Sequence, residues 1–389
     1  MKITVAMSGG VDSAVAAALL LREGHEVEGV FMKNWSPETL QSLNDCPWEQ
    51  DQADAAAVCA HLGIPFRSLN FEREYKTRVV EYFLAEYASG RTPNPDVLCN
   101  SEIKFKAFLD LALENGAQMI ATGHYARVED GALFRGLDPG KDQSYFLHRL
   151  NGWQLGRALF PLGALPKSRV RELAAEFGLP NARKKDSQGI CFIGHIDLKK
   201  FLHEHISGTT GGVLLLPEHV AGLAFEARLA AAQPVGFHSG VAFATLGERG
   251  GSLIDNGTYK ALRPGQEVPP VYVLEKDIPR NRLYVTENRA DPDFYPAWIG
   301  IEDFRFTGGS GDGAAEESLT PLLPRLSLQI RYQQKERPGI AEMREDAGLL
   351  WMRAQSPIWS PAPGQFAVLY EFDRVVGGGV IAQVTREGK

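Results

Sequence analysis

Six residues near the amino terminus, Ser8, Gly9, Gly10, Val11, Asp12 and Ser13, combine a glycine turn with a carboxylate and two hydroxyls. They follow the apolar run Ile3–Met7 and lead into Ala14–Leu21, which consists almost wholly of strong helix formers. A strand feeding a glycine turn into a helix aims several backbone N–H groups at one spot, an arrangement that suits phosphate. Gly9 and Gly10 admit an anion where a Cβ would block it. A carboxylate there repels phosphate unless it holds a divalent cation, so Asp12 is a candidate Mg²⁺ ligand. The loop lacks the Lys-Ser/Thr ending of one common phosphate-binding motif and the third spaced glycine of another.

Thiols form the second set. Cys99 follows Thr92-Pro-Asn-Pro-Asp96, whose two prolines make a rigid, extended turn. Asp96 and Cys99 are three apart and share a face if a helical turn follows. A carboxylate beside a thiol raises its pKa, so Asp96 suits acid/base work on a substrate better than activation of Cys99. Cys191 lies downstream of Arg183, Lys184 and Lys185, cations that favour a thiolate. Cys59 sits in a helical apolar pattern and reads as a core thiol, and Cys46 carries no assignment. For Cys99 and Cys191 taken alone, core and catalytic roles stand level. No Cys-x-x-Cys pair is present to suggest zinc.

Elements must bring these residues together. Strand-like runs at Val27–Met32, Pro65–Phe71 and Gln118–Thr122 alternate with helical stretches at Gln52–Leu62, Arg73–Tyr87, Ser101–Asn115 and Pro166–Phe177. This alternation predicts an α/β domain with a parallel sheet over residues 1–206. Ligands of such sheets bind at the carboxyl ends of strands, which puts Ser8–Ser13, Met32–Asn34 and Gly123-His124 on one rim. Past the Ser207–Gly212 linker, short β-like runs at Val213–Leu216, Val241–Thr245, Val271–Leu274 and Leu283–Thr286 predict a small, mostly-β central domain, 207–284. An alanine-rich helical stretch at 221–232 interrupts it. Runs at Leu326–Tyr332, Leu349–Met352, Phe366–Tyr370 and Val380–Val384 predict a β-rich third domain, 285–389. Gly308–Glu317 reads as an acidic, mobile loop.

Composition limits the function classes. Of 389 residues, 44% are hydrophobic and 23% charged, the balance of a soluble globular protein. No apolar stretch is long enough to span a bilayer, and no presequence is visible, so a cytoplasmic protein is expected, or a processed mitochondrial one. The net charge of −7 weighs against a nucleic-acid partner, although Lys104 with Lys106, Lys199-Lys200, and Arg331 with Lys335 and Arg337 form local basic clusters.

The loop Ser8–Ser13 resembles the pyrophosphate (PP) loop of ATP pyrophosphatases, which cleave ATP between the α- and β-phosphates. Further motifs follow in order: Gly90–Asp96 leading to Cys99-Asn100, Ile103-Lys104-Phe105, Ala121–Tyr125, Lys141–Tyr145 and Gly189–Phe192. Together they resemble the tRNA 2-thiouridylase family, through nearly all of residues 1–206. The likeness continues more weakly at Thr245–Arg249, Arg331-Tyr332, Pro363–Gln365 and Gly377–Gly379.

The resemblance implies an adenine-nucleotide α-hydrolase-like first domain and a C-terminal β-barrel. It implies ATP on Ala6, Met7, Ser8, Gly9, Gly10, Val11, Asp12 and Ser13, with Met32 and Gly123. ATP would adenylate the 2-oxygen of the wobble uridine of tRNAs such as those for Glu, Gln and Lys. Cys191 would carry a persulfide supplied by an upstream donor protein, and Cys99 would be the nucleophile that ends in a Cys99–Cys191 disulfide. Asp96 would move the proton. Asn94, Pro95 and Asp96 would border the flipped base, while His124, Lys141, Asp142, Gln143, Arg331, Tyr332 and Gln365 would contact tRNA. Family precedent leans to a monomer. A variant chemistry would place an iron–sulfur cluster on Cys99, Cys191 and Asp96.

Two features depart from the family. Where relatives carry Tyr-Thr-x-Gly-Gln-Arg-Lys-Gly, this chain reads Ala244-Thr-Leu-Gly-Glu-Arg-Gly-Gly251, losing positive charge. Leu214–Pro234 has an alanine-rich insert in place of an Asp-Gly hairpin. A different ATP pyrophosphatase, amide-forming or acting on a small molecule, would explain the loop but not the cysteines. A non-catalytic RNA- or nucleotide-binding relative would explain the departures but not Asp12, Asp96 and both thiols.

Overall fold

The computed structural model describes residues 1–35, 48–185, 198–308 and 318–386. Cys46, Cys191 and all but the first residue of the acidic 308–317 loop lie outside the described residues.

Strands β1 (Lys2–Met7), β2 (Glu26–Lys33), β3 (Phe66–Asn70) and β4 (Met119–Ala121) are followed by a hairpin, β5 (Ala126–Glu129) and β6 (Ala132–Arg135), and by β7 (Ala158–Leu159). β3, β2, β1, β4 and β7 form the expected sheet in that order, and every pairing is parallel. The central strand β1 is buried from Ile3 to Met7. Helix α1 (Val11–Arg22) covers it with a face of alanines, small enough to lie close to the sheet. Helix α2 (Trp48–Leu62) packs Ala55, Val58 and Cys59 into the same cluster. The chain leaves β1 toward β2 on one side, while β4 lies on the other. The strand order therefore reverses at β1, and the crevice between the ends of β1 and β4 is where such sheets take ligands.

The helical stretch 95–114 starts earlier than its periodicity predicts. Pro95 occupies the first turn, and Asn94 Oδ1 caps it by accepting the Asp96 N–H at 3.2 Å. Cys99–Ala107 winds as a wider π-type helix and breaks at Phe105 (φ −100°, ψ 16°) before Phe108–Glu114 resumes. Such widened turns shift the helix face that follows and concentrate at functional sites.

In the central domain β8 (Gly211–Leu215), β9 (Gln233–His238), β10 (Tyr272–Asp277) and β11 (Arg282–Thr286) pair in the order β10-β11-β8-β9. The alanine-rich stretch contains a helix, Phe225–Ala230. Val241–Thr245 is not a strand: Val241–Phe243 forms a 3₁₀ turn, with its two ring- and branch-bearing side chains buried. Its apolar residues satisfy burial without a ladder, which period alone could not distinguish. The expected boundary at residue 284 falls inside β11.

The last domain is the expected barrel. β12 (Trp298–Phe306), β13 (Leu326–Gln329), β14 (Ile340–Asp346), β15 (Leu349–Ala354), β16 (Phe366–Glu371) and β17 (Arg374–Thr385) pair antiparallel in the order β13-β16-β17-β12-β15-β14. A bridge between Ser327 and Gly339 brings the two ends together. The hairpin strand β6 of the first domain joins this sheet, pairing Phe134 with Arg374 of β17. Among the described residues no helix is long and apolar enough to cross a membrane.

Candidate active site

The loop after β1 is held by its own hydroxyls. The Ser8 N–H donates to Ser13 Oγ at 3.1 Å, and Ser13 Oγ–H donates to the Gly10 carbonyl at 3.2 Å. Gly9 has φ +72°, and a Cβ there would lie 2.3 Å from the Asp51 carbonyl of α2. Glycine is therefore required twice over at this position, for its dihedral and for its contact. The loop thus keeps the strand–turn–helix form that its composition predicts.

Gly123, at the end of β4, closes the crevice from the other side. A Cβ on it would sit 2.7 Å from the Ser13 nitrogen and 2.8 Å from the Asp12 carbonyl carbon. Asp12 stands in the first turn of α1. Its Oδ1 accepts the Tyr125 hydroxyl at 2.8 Å and the Lys167 ammonium at 2.6 Å. Among the described residues its Oδ2 takes no hydrogen bond, so one oxygen at the loop fits a divalent cation. Asn181 donates from Nδ2 to the Gly9 carbonyl at 3.0 Å, and among the described residues its buried Oδ1 has no partner.

Ala6, Met32, Val97 and Cys99 belong to one apolar cluster. This places the sulfhydryl of Cys99, itself buried at 1% exposure, in the same core that underlies the ends of β1 and β2. Asp96, on the same turn, is part-buried. The turn that carries them is gripped from two sides. The Thr92 N–H donates to the Pro363 carbonyl at 2.8 Å, and Gln365 Nε2 donates to the carbonyls of Thr92 (2.8 Å) and Pro93 (3.3 Å). From the central domain, Thr245 Oγ1 accepts the Thr92 hydroxyl at 3.4 Å.

Several residues expected at the tRNA surface have internal partners. His124 is 9% exposed, between the rings of Phe105 and Phe160. Lys104 Nζ donates to its Nε2 at 3.4 Å, which leaves Nδ1 to donate to Thr122 Oγ1 at 2.7 Å. Burial, with the Lys104 charge adding to it, holds this imidazole neutral, well below its usual range. Asp142 is buried and accepts from the N–H groups of Gly136 and Ser144, and from Arg135 and Arg337. Gln143 Oε1 accepts the Tyr125 N–H at 3.1 Å. Arg331 donates to the Ser360 carbonyl and lies over the Trp359 ring, while Tyr332 packs 4.5 Å from the Phe146 ring centroid. Lys141 is part-exposed.

Two charge expectations change. Lys184, read as one of three cations near Cys191, is paired with Asp51 and Asp54 of α2. Glu248, one of the departures in the central domain, accepts the Thr245 N–H at 3.0 Å and the Lys199 ammonium at 2.8 Å. Cys59 is a core thiol, as expected, and burial pushes its pKa up to about 11. Lys167 and Asn181 touch the loop or its carboxylate yet carry no motif signal in the sequence. Tyr125 and Lys104 lie inside the motifs quoted above and could have been singled out there.

A glycine turn at a strand-order reversal, followed by a mixed central sheet and a β-barrel, defines a nucleotide-binding α/β enzyme of the PP-loop class with two appended β-rich domains. The family described as "tRNA methyl transferase HUP domain" matches residues 1–195, and the one described as "Aminomethyltransferase beta-barrel domain" matches residues 316–381. The tRNA-specific 2-thiouridylase MnmA of Cupriavidus taiwanensis is 44% identical over 98% of both chains. That of Leptothrix cholodnii is 44% identical over 98% of this chain and 96% of its own. The chain belongs to the tRNA-specific 2-thiouridylase family. Among solved structures, a 4-thiouridine synthetase–RNA complex with bound ATP aligns with a TM-score of 0.31 at 21% identity, over 53% of this chain and 50% of its own.

Proposed function

We propose that this chain is a tRNA-uridine 2-sulfurtransferase that replaces the 2-oxygen of the wobble uridine with sulfur at the expense of ATP. The observation that carries this reading is the placement of Cys99 in one cluster with Ala6 and Met32, one helical turn from Asp96. The same cluster takes in residues from the ends of β1 and β2 and from the turn that bears the thiol and the carboxylate.

Ala6–Ser13, Met32 and Gly123 would bind ATP, the loop N–H groups meeting its phosphates. Asp12 would hold Mg²⁺, which supplies charge neutralisation when bound. The 2-oxygen of the uridine forms a bond to the α-phosphorus while the bond from that phosphorus to the bridging oxygen breaks, and pyrophosphate leaves with the electron pair. Asp96 takes or returns the proton near N3. Asn94 and Pro95 border the base, which must leave its stack to be reached.

The terminal sulfur of a Cys191 persulfide then bonds to carbon 2, and AMP departs with the former 2-oxygen. Cys99 attacks the Cys191 sulfur of the S–S bond, releasing the transferred sulfur as the thione and leaving a Cys99–Cys191 disulfide that an external dithiol reduces. An upstream persulfide protein reloads Cys191. His124, Lys141, Asp142, Gln143, Arg331, Tyr332 and Gln365 form the tRNA-facing set in this reading, directly or by shaping the backbone. The protein works as a monomer in the cytoplasm, where ATP, tRNA and a sulfur donor meet.

The test incubates the protein with ATP, Mg²⁺, inorganic polysulfide as the donor of sulfane sulfur and unmodified tRNA, and resolves thiolated product on a mercury-containing gel. Product is expected with the parent, and none with Cys99→Ser or Cys191→Ser. Full activity in both variants overturns the two-cysteine scheme. Thiolation that tracks bound iron moves the chemistry to a cluster on Cys99, Cys191 and Asp96. ATP turnover on a small molecule, with tRNA untouched, moves the chain to another PP-loop activity.

A further inference from the structure

Asn34 ends the rim segment Met32–Asn34, and neither the phosphate loop nor the thiol turn uses it. β2 pairs with β1 as far as Phe31 opposite Met7, and with β3 as far as Lys33 opposite Asn70. It therefore runs on past the point where β1 turns into the phosphate loop. Asn34 follows directly, between Lys33, which pairs with Glu72, and Trp35, which joins the cluster of Ala6, Met32 and Cys99. Asn34 is 2% exposed, and among the described residues neither its Oδ1 nor its Nδ2 has a hydrogen-bond partner.

A core-filling side chain is the simpler reading, and its chemistry argues against it. A buried amide open at both ends is costly, and leucine would fill nearly the same volume without that penalty. The other buried asparagines with an open oxygen each use their nitrogen: Asn100 donates to the Phe146 carbonyl and Asn181 to that of Gly9. Asn34 thus holds an unused donor beside an unused acceptor. Its place on the rim says what could meet them. If the phosphates sit on the loop after β1, the base must lie over a neighbouring strand end. On the β4 side Gly123 is packed on the loop, a Cβ there meeting the Ser13 nitrogen at 2.7 Å. Tyr125 and Lys167 close on the Asp12 carboxylate from that side too. The β2 side, with Met32 and Asn34, is left for the base.

We propose that the Asn34 carboxamide reads the adenine of the nucleotide: its Oδ1 accepts from the 6-amino group, and its Nδ2 donates to the ring nitrogen beside that group. Adenine suits a side-chain amide because it offers one donor next to one acceptor in the plane of the ring. The pairing satisfies both open atoms at once, so the desolvation penalty of the empty site is relieved when nucleotide binds. A base without the 6-amino group would leave Oδ1 buried and unpaired, and the site would reject it for that reason. The assignment rests on reading the loop as an ATP site.

The experiment measures dissociation constants by calorimetry with Mg²⁺ on the full chain, for ATP and for purine riboside triphosphate, which keeps the sugar and phosphates but lacks the 6-amino group. The parent is expected to bind the analogue about tenfold or more weakly than ATP, on the order of one buried group left unpaired. Asn34→Leu should bind the two within about threefold of each other, because the discriminating atoms are gone. Without nucleotide, Asn34→Leu should melt about 2 °C or more above the parent, since the open amide is removed. Asn34→Ser should lose the discrimination in the same way, and it stands in if the leucine variant does not fold. Equal affinities in the parent overturn the assignment and leave the ATP site standing. Discrimination that survives in the variants, with a lowered Tm, overturns it as well and makes Asn34 a structural residue. Unchanged ATP affinity in Asn34→Ser with slower thiolation would give the amide to the uridine, and also overturns it. A parent that binds neither triphosphate sinks the ATP-site reading along with the assignment.

Discussion

Gln365 and Thr92 are 273 residues apart in sequence, and the amide of the first donates to the carbonyl of the second at 2.8 Å. The barrel thereby holds the backbone of the turn that carries Asn94, Pro95 and Asp96. Gly364 makes the contact close, since a Cβ on it would lie 2.8 Å from the Thr92 nitrogen. Replacing Gln365 with Ala removes two hydrogen bonds and lets the turn drift. Misplacement of a reacting group by about 1 Å can lower rate on the order of a hundredfold. The expected result for Gln365→Ala is a tenfold or greater drop in thiolation turnover at saturating tRNA, with tRNA affinity within about threefold of the parent. Filter binding and single-turnover assays separate the two. Lost affinity with intact turnover would instead make Gln365 a tRNA contact.

Asp96→Asn keeps the shape of the turn and the Asn94 cap, which uses the Asp96 backbone N–H. It removes the carboxylate. General acid–base assistance is worth roughly 10²–10⁴ in rate, so thiolation should fall within that range while ATP and tRNA still bind. A loss below about threefold would remove Asp96 from the proton-transfer role.

Gly123→Ala places a methyl against backbone atoms of Asp12 and Ser13 that cannot step aside as a flexible side chain could. The variant should fold with a lower Tm and bind ATP at least about tenfold more weakly, as overpacking at a rigid site costs roughly 1–3 kcal/mol. Parent-like ATP affinity would place the nucleotide away from the junction of β1 and β4.

Acid should weaken the fold through two buried imidazoles. Burial takes His148 from its usual 6.5 down to about 3, and His124 well below its usual range. Both are neutral in the folded chain and free to protonate once unfolded. The unfolded state therefore binds more protons below about pH 6.5, and the stability held above that value is lost as pH falls toward 3. The loss approaches about 1.4 kcal/mol per pH unit for each such histidine. Urea midpoints at pH 7 and pH 5 measure it, and His148→Phe should flatten the slope. A flat profile between those values would mean the imidazoles titrate normally.

What the sequence discloses and what it conceals follow from separation along the chain. The loop was legible because its strand, glycines and helix are contiguous. The Asp96–Cys99 turn was legible because proline and a three-residue spacing are local signals. Lys167 was not, because a lysine after Pro166 is ordinary until the fold sets it on Asp12. Asp142 and Gln143, expected from the resemblance to contact tRNA, are bound inward to Arg135, Arg337 and Tyr125. The Val241–Thr245 run had strand composition, and a short apolar run does not say whether it is buried by a ladder or by a turn.

The pairing of β6 with β17 has a practical corollary for anyone who would cut this protein into pieces. Tyr145, Leu147, Phe366, Val368 and Tyr370 sit in one cluster with Cys99, and the Tyr145 hydroxyl donates to the Phe366 carbonyl at 2.9 Å. A fragment ending before the barrel would bare that apolar wall and leave β6 with an unpaired edge, the template for sticking to other chains. The first domain is thus not a severable cassette: a cut at its seam with the barrel would strip both sides of the contact.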